Sequence, residues 1–281
     1  MRYCEPLLRI RLRMVRNSTA LLAVIKMARA RFDYQFPLVC GLQILYLHSM
    51  RVGLFIPCFI DQLYPQVGQA MVTVLRRLNI DVEFPAEQTC CGQPAFNTGY
   101  WPEARELAQR YVKIFAGYDA IVCPSGSCTA MVRNNYPELL GGATPVTANT
   151  FEFGEFLVRK LGVTDVGARF PAKVTYHDSC HSLRELRLKN EPRQLLRHVR
   201  DLELIEMDKA ETCCGFGGTF SVKLPLVSFA MDEVKVDSIQ RTGAEYVISA
   251  DSSCLMQIGG CLRRKKFAVK TISLAEVLAS T

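Results

Sequence analysis

The sequence carries the tetrapeptide Thr-Cys-Cys-Gly twice, at residues 89–92 and again at residues 212–215. One further cysteine precedes each pair, and another follows it at a similar distance. Because cysteine is an uncommon residue, a spacing that recurs over more than a hundred positions indicates an internal duplication of one cysteine-bearing unit. Whatever the chain folds into must therefore accommodate two similar units, each with four cysteines.

Apolar runs and helical patterns alternate around each set of cysteines. In the first copy, a strand-like run at Val52–Ile56 is followed by an apolar stripe with helical spacing between Val67 and Leu78. The later elements predicted by the same patterns are strands at Ile80–Phe84, Asp119–Val122, Leu204–Ile205 and Glu245–Ser249, and helices after Pro102, from Pro192 through Leu202 and from Pro225 to near Gly243. This order predicts right-handed crossovers. We expect an α/β fold of two pseudo-repeated Rossmann-like halves with parallel sheets.

The joint between the units is predicted in the less regular stretch Asn134–Phe170. Glycines at 141 and 142 and the region of Pro145 are typical of loops, and Phe151–Leu161 is predicted as a helix. We therefore predict a first cysteine-rich repeat over residues 50–160, called the first half below, and a second repeat over residues 161–281, called the second half.

Residues 1–49 differ from the rest in charge. They carry eight lysines and arginines against two acids, Glu5 and Asp33, whereas the remainder of the chain is nearly neutral. The body therefore lacks the basic field that attracts nucleic acid, and no apolar run here reaches the length of a membrane span. Because Met50 directly precedes the first strand, we predict that residues 1–49 are a non-native or mis-called extension. An organellar transit peptide or a weak signal sequence is the alternative.

The cysteines are interpreted as metal ligands rather than a disulfide framework, because the chain has enough apolar sequence to build a core. The carboxyl ends of parallel strands form a common crevice, where helix N-termini favour thiolates. The predicted ligands are Cys58, Cys90, Cys91 and Cys128 in the first half and Cys180, Cys213, Cys214 and Cys254 in the second. Four thiolates suit an iron–sulfur cluster or zinc. Adjacent cysteines are unusual for zinc, so an iron–sulfur cluster is favoured.

At these residues the chain resembles the cysteine-rich CCG domain found in the B subunit of heterodisulfide reductases. The stretches His177–His181, Cys213–Phe220 and Ala250–Ile258 are most similar to the lactate utilization protein A family. The resemblance implies a cytoplasmic subunit with a cluster of the 4Fe–4S type. It also implies partner iron–sulfur and accessory subunits with which the chain oxidises L-lactate to pyruvate.

The sequence supplies no flavin or nicotinamide site, so an electron-transfer subunit is expected rather than a complete dehydrogenase. Two other interpretations of the function stay open. One is a zinc- or cluster-stabilised assembly module that binds partners without electron transfer. The other keeps the redox role but changes the substrate to glycolate, glycerol-3-phosphate or a disulfide.

The family pattern ends each unit in Cys-x-x-Cys, and this chain departs from it. Ser125 and Asp251 occupy the first of those two positions. Cys123 is therefore added as a candidate cofactor-binding residue of the first half, and Asp251 as a candidate oxygen ligand or as the cap of the helix that follows it. His177 and His181 flank Cys180, and either can ligate a metal, carry protons or hydrogen-bond the backbone or a sulfur.

Overall fold

The computed structural model describes residues 50–281, and the predicted extension at residues 1–49 lies outside the described part. The first half contains a four-stranded sheet in the order β2-β1-β3-β4. Its strands are β1 (Val52–Leu54), β2 (Val82–Glu83), β3 (Ala120–Cys123) and β4 (Thr150–Glu152). All three pairings are parallel.

The second half contains a sheet of the same size, in the order β6-β5-β7-β8. Its strands are β5 (Arg169–Tyr176), β6 (Arg200–Leu204), β7 (Tyr246–Ser249) and β8 (Lys270–Ser273), again all parallel. In both halves the first strand lies between the second and the third, and the fourth forms an edge. The predicted fold class, two pseudo-repeated α/β halves with parallel sheets, is confirmed.

The helices connect these strands and cover the sheets. Those of the first half are α1 (Cys58–Leu63), α2 (Pro65–Arg77), α3 (Gln93–Asn97), α4 (Trp101–Ile114), α5 (Gly126–Ala130), α6 (Tyr136–Leu140), α7 (Pro145–Ala148) and α8 (Phe153–Glu155), with π-helical turns at Met131–Asn135 and Phe156–Lys160. Those of the second half are α9 (Asn190–Arg197), α10 (Thr219–Lys223), α11 (Pro225–Arg241), α12 (Ser252–Arg264) and α13 (Leu274–Ala279), with a π-helical turn at His181–Glu185.

The longer helices form where their sequences provide both a start and an apolar face. Helices α2, α4 and α11 each have a proline in the first turn, where its missing N–H costs no hydrogen bond. In α2 the buried positions include Val67, Met71, Val74 and Leu75, which lie on one face of the helix. The predictions of these helices are confirmed.

Three local predictions were wrong. The region of Pro145, predicted as loop, is helix α7, because Thr144 and Thr147 form a capping box that starts a helical turn. The predicted helix over Phe151–Leu161 begins only after strand β4. The helix predicted through Leu202 ends at Arg197, and Leu202 belongs to strand β6.

The two halves are also joined away from their sheets. Helix α13, at the end of the chain, packs against α2 of the first half. From the last turn of α2, the guanidinium of Arg77 donates hydrogen bonds to the carbonyl oxygens of Val166 (2.9 Å), Leu278 (3.2 Å) and Ala279 (2.7 Å). Arg77 thereby satisfies carbonyl groups at the end of α13 that have no partner within that helix. Among residues 50–281, no helix is both long and apolar enough to cross a bilayer.

Candidate metal centre

Each predicted cysteine lies where a strand gives way to a helix. Cys58 begins α1 shortly after β1, Cys90 and Cys91 lie between β2 and α3, and Cys128 lies in the first turn of α5. The second half repeats this arrangement. There the equivalent positions are Cys180 after β5, Cys213 and Cys214 between β6 and α10, and Cys254 in the first turn of α12. Parallel strands thus carry all eight thiols to the carboxyl edges of the two sheets.

The four thiols of each half form a connected row. In the first half Cys58 is hydrogen-bonded to Cys90, and the Sγ atoms of Cys91 and Cys128 are 3.5 Å apart. In the second half the same contacts join Cys180 to Cys213 and Cys214 to Cys254. Within residues 50–281, none of the eight takes part in a disulfide. We call these two rows the first and second cysteine sets.

A glycine shapes the bend after each cysteine pair. Gly92 and Gly215 have φ values of +82° and +87°, in the left-handed region where other residues are strained. This bend turns the glycine N–H back toward the preceding thiol pair. The N–H of Gly92 donates to Cys90 Sγ at 3.4 Å, and that of Gly215 donates to Cys213 Sγ at 3.3 Å. The repeated Cys-Cys-Gly motif therefore encodes both two adjacent thiols and a backbone donor to one of them.

The hydrogen bonds within each set make one thiol far more acidic than the others. Hydrogen bonds from Cys58 and Cys91, with help from the Gly92 N–H, lower the pKa of Cys90 to about 3. Equivalent bonds from Cys180 and Cys214 lower the pKa of Cys213 to about 2. Each set therefore holds a thiolate at neutral pH, which is the form that binds soft metal ions.

Both sets open into one cleft. All eight cysteines line a cavity of about 190 Å³, together with apolar side chains that include Phe59, Pro94 and Phe216. The rings of Phe59 from the first half and Phe216 from the second lie edge to face, with centroids 5.8 Å apart. An apolar lining of this kind limits contact with water and strengthens electrostatic interactions at the thiolates.

Asp251 and Ser125 occupy matching positions of the repeat, and the structure brings them into direct contact between the halves. Asp251 Oδ1 accepts hydrogen bonds from Ser125 Oγ (2.8 Å) and from the Oγ (2.9 Å) and N–H (3.1 Å) of Ser127. Its Oδ2 accepts from Ser179 Oγ. Asp251 is 1% exposed, so these bonds form in a buried site. We call this group the inter-half clamp.

The clamp corrects one of the two roles considered for Asp251. The carboxylate makes no hydrogen bond to its own helix α12, so the predicted cap is wrong. Instead, Asp251 accepts from the first turn of α5 in the other half, where the helix dipole also favours a negative charge. Both oxygens accept hydrogen bonds within the protein, and metal ligation by Asp251 stays a prediction.

Cys123 packs in the same core cluster as Cys91 but does not face the cleft. It ends strand β3, is fully buried in the hydrophobic core and does not line the cleft. Its Sγ is 3.6 Å from the carbonyl oxygen of Ser125, and burial raises the pKa of its thiol well above the ordinary value. These features are typical of a structural thiol. Its assignment as a cofactor-binding residue stays a prediction.

The two histidines beside Cys180 have different surroundings. His181 Nδ1 is 3.6 Å from Cys180 Sγ, and its Nε2 is 3.3 Å from Gln93 Nε2. His177 is fully buried, and neither of its ring nitrogens has a hydrogen-bond partner among the described residues. Burial, and then the charge of Lys235, lower the pKa of His177 to about 3, so its ring is neutral.

The first half has no imidazole at the place that corresponds to His177. The N–H of His177 donates to Ile248 of β7, and the N–H of Phe55 donates in the same way to Val122 of β3. Phe55 packs edge to face on Tyr111, with ring centroids 4.9 Å apart. Sequence reasoning named His177 without predicting its burial, because the residues that cover it come from distant parts of the chain.

The model of the cysteine-rich CCG domain family matches residues 52–133 and 174–259. Lactate utilization protein A of Bacillus pumilus is 48% identical over 238 residues, covering 82% of this chain and 100% of that protein. Its namesake from an Exiguobacterium species is 49% identical over 237 residues, covering 81% and 96%. A crystal structure of a hypothetical protein from Helicobacter pylori has a TM-score of 0.51 at 9% identity, covers 93% and 57% of the two chains, and is alike in fold alone. The chain therefore belongs to the lactate utilization protein A family and carries the cysteine-rich domain twice.

Proposed function

We propose that this protein is an iron–sulfur redox subunit of a multi-subunit system that oxidises L-lactate to pyruvate. The observation that carries the proposal is the convergence of eight free thiols from two repeats on one cleft. The names of relatives such as those of B. pumilus and Exiguobacterium supply the connection to lactate. Oxidation of lactate releases two electrons and two protons, and we assign to this chain the relay of the electrons.

The donor chemistry of the site fits an iron–sulfur group. The two cysteine sets would hold it through Cys58, Cys90, Cys91 and Cys128 in the first half and Cys180, Cys213, Cys214 and Cys254 in the second. An iron–sulfur cluster, when bound, accepts and donates one electron at a time. The N–H groups of Gly92 and Gly215 donate to thiol sulfurs. Hydrogen bonds to ligand sulfurs favour the reduced state of an iron–sulfur cluster.

The residues around the sets would control access rather than carry out the oxidation. Phe59 and Phe216 meet across the cleft and limit the entry of water. The inter-half clamp fixes the first turns of α5 and α12, which carry Cys128 and Cys254. We assign removal of hydrogen from the hydroxy acid to partner subunits, because that step requires an acceptor of two electrons.

Anaerobic purification followed by iron, sulfide and zinc analysis and visible spectroscopy tests the redox proposal. Thiolate-to-iron charge transfer gives broad visible absorption, whereas zinc has a filled d shell and gives none. We expect a coloured protein. Cys90→Ser with Cys91→Ser, and Cys213→Ser with Cys214→Ser, should each remove about half of the iron. Cys261→Ser is the matched control, because Cys261 is buried but lies outside the cleft. A colourless, zinc-loaded chain would support the assembly-module alternative instead.

The substrate is tested separately by the visible spectrum of the oxidised protein mixed with its partner subunits. Addition of L-lactate should bleach the thiolate-to-iron bands, and this chain alone should not respond. Bleaching by glycolate or glycerol-3-phosphate, but not by L-lactate, would leave the redox role in place and reassign the substrate.

A further inference from the structure

His177 is a buried polar side chain that has no side-chain partner in the described part of the chain. It is fully buried, and both ring nitrogens lack a hydrogen bond among residues 50–281. Buried polar groups are nearly always paired, and leaving one unpaired costs about 1–3 kcal/mol. A neutral imidazole also carries a lone pair on one nitrogen, which makes it a good ligand for metal ions. The unpaired ring is therefore explained most directly if it binds a group outside the polypeptide.

The neighbours of His177 identify what kind of group this is. One of its ring nitrogens and the Sγ atoms of Cys214 and Cys254 all lie within 4.8 Å of one another, and all three residues are buried. Metal bonds to nitrogen and sulfur are about 2.0–2.3 Å long, so atoms that share one ion lie within about 4.5 Å of each other. A small adjustment of these side chains would close the group around a metal ion.

The backbone holds the imidazole in this position. The N–H of His177 donates to the carbonyl oxygen of Ile248 at 2.8 Å, and the carbonyl oxygen of His177 accepts from Ser249 Oγ at 3.1 Å. Both bonds connect the end of β5 to the neighbouring strand β7. These bonds fix the backbone of His177, and a ligand on a rigid element keeps its geometry better than one on a loop.

We propose that His177 is a metal ligand of the second half, acting together with Cys214 and Cys254. This inference rests on the metal-binding role proposed above for the second cysteine set. It makes the two halves chemically different, because the first half has Phe55 at the matching place and so has no nitrogen to offer.

Zinc K-edge X-ray absorption provides the test, with Zn²⁺ as the probe. The full chain carrying Cys90→Ser and Cys91→Ser is stripped of metal, so that only the second set is intact, and is loaded with one equivalent of Zn²⁺. We expect ring scattering from one imidazole. His177→Gln should abolish that scattering and weaken Zn²⁺ binding by at least about 10-fold. His198→Gln is the matched control and should leave both measurements unchanged, because His198 is exposed at the end of α9 and does not line the cleft.

Two outcomes would overturn the assignment: no imidazole scattering in the parent chain, or scattering that persists in His177→Gln. The parent measurement needs no substitution at His177, so it decides the question even if His177→Gln fails to fold. The zinc readout is also independent of iron. A chain that never binds iron would contradict the proposed redox function, and the ligand set of the second half could still be determined.

Discussion

The two halves share one structural frame and differ at side chains that lie beside the cysteines or contact the other half. Both have the same strand order and the same row of four thiols. At matched places, however, the first half has Phe55 and Ser125, whereas the second has His177 and Asp251. The frame is constrained by sheet geometry, because moving a cysteine from a strand end would remove it from the cleft. Side chains beside the thiols are free of that constraint, and there the duplicated units have become different.

Breaking the inter-half clamp should have the largest effect on stability. Asp251→Ala removes a buried carboxylate that accepts hydrogen bonds from Ser125, Ser127 and Ser179, and should lower the free energy of unfolding by about 3–5 kcal/mol. Asp251→Asn keeps the shape and an acceptor, so it should cost less. Ser125→Ala removes only one donor and a helix cap, at about 1 kcal/mol. Urea unfolding of the metal-free, reduced chain measures all three. Equal losses for Asp251→Ala and Ser125→Ala would show that the clamp contributes little.

The two Cys-Cys-Gly bends should respond unequally to the same substitution. A Cβ at Gly215 would lie 2.4 Å from the backbone oxygen of Ser228, whereas a Cβ at Gly92 would lie 3.4 Å from the flexible side chain of Leu107. Both positions have positive φ, which costs about 1–2 kcal/mol in any case. We therefore expect Gly92→Ala to cost about 1–2 kcal/mol and Gly215→Ala about 2–5 kcal/mol, since the second variant also forces a backbone shift. The same denaturant titrations decide the order, and a larger loss for Gly92→Ala would contradict it.

A difference that depends on pH concerns the capping boxes that begin at the last residues of β4 and β8. Glu152 and Glu155 form this box in the first half, and Ser273 and Glu276 form it in the second. Burial, together with the charges of Glu155 and Asp251, raises the pKa of Glu152 to about 8. The folded state therefore retains a proton that the unfolded state loses above pH 4.5 or so. This contribution to stability is complete below that pH and is lost as the pH rises toward 8, by at most about 1.4 kcal/mol per pH unit.

Glu152→Gln removes the titration but keeps an acceptor for the Glu155 N–H, which now bonds Glu152 Oε2 at 3.0 Å. The variant should be more stable than the parent at pH 8, and the difference should shrink toward pH 5. Thermal unfolding of the metal-free chains across this range measures it. A parent and a variant with parallel pH profiles would show that Glu152 does not titrate in this window.

The frame could be predicted from the sequence because local signals specify it. Apolar runs before Cys58 and Cys180 indicate buried strands, and the helices after Pro102 and Pro225 indicate crossovers between parallel strands. Strand β4 and helix α7 were missed because both are short and the surrounding glycines and proline resemble a loop. Leu202 was assigned to a helix because apolar spacing alone does not distinguish a helix end from an adjacent edge strand.

The clamp and the burial of His177 could not be predicted for a different reason. Asp251 contacts Ser125, which is 126 residues away, so its role depends on how the halves pack rather than on its neighbours in sequence. A sequence pattern predicts a cap from local spacing. That prediction was wrong because the Asp251 carboxylate accepts hydrogen bonds from Ser125 and Ser127 of the other half instead. In the same way, motif spacing places His177 next to Cys180 but not within reach of Cys214 and Cys254.

The contact between Arg77 and the last helix has a consequence for biosynthesis. Arg77 leaves the ribosome long before Ala279, whose carbonyl oxygen it binds and which lies 202 residues later. At a translation rate of about 5–20 residues per second, α13 is synthesised roughly 10–40 s after α2. During that interval α2 lacks one of the helices that pack against it. The first half, although synthesised first, can complete its packing only after α13 has been made, and we expect products truncated before Leu274 to be more open to proteolysis.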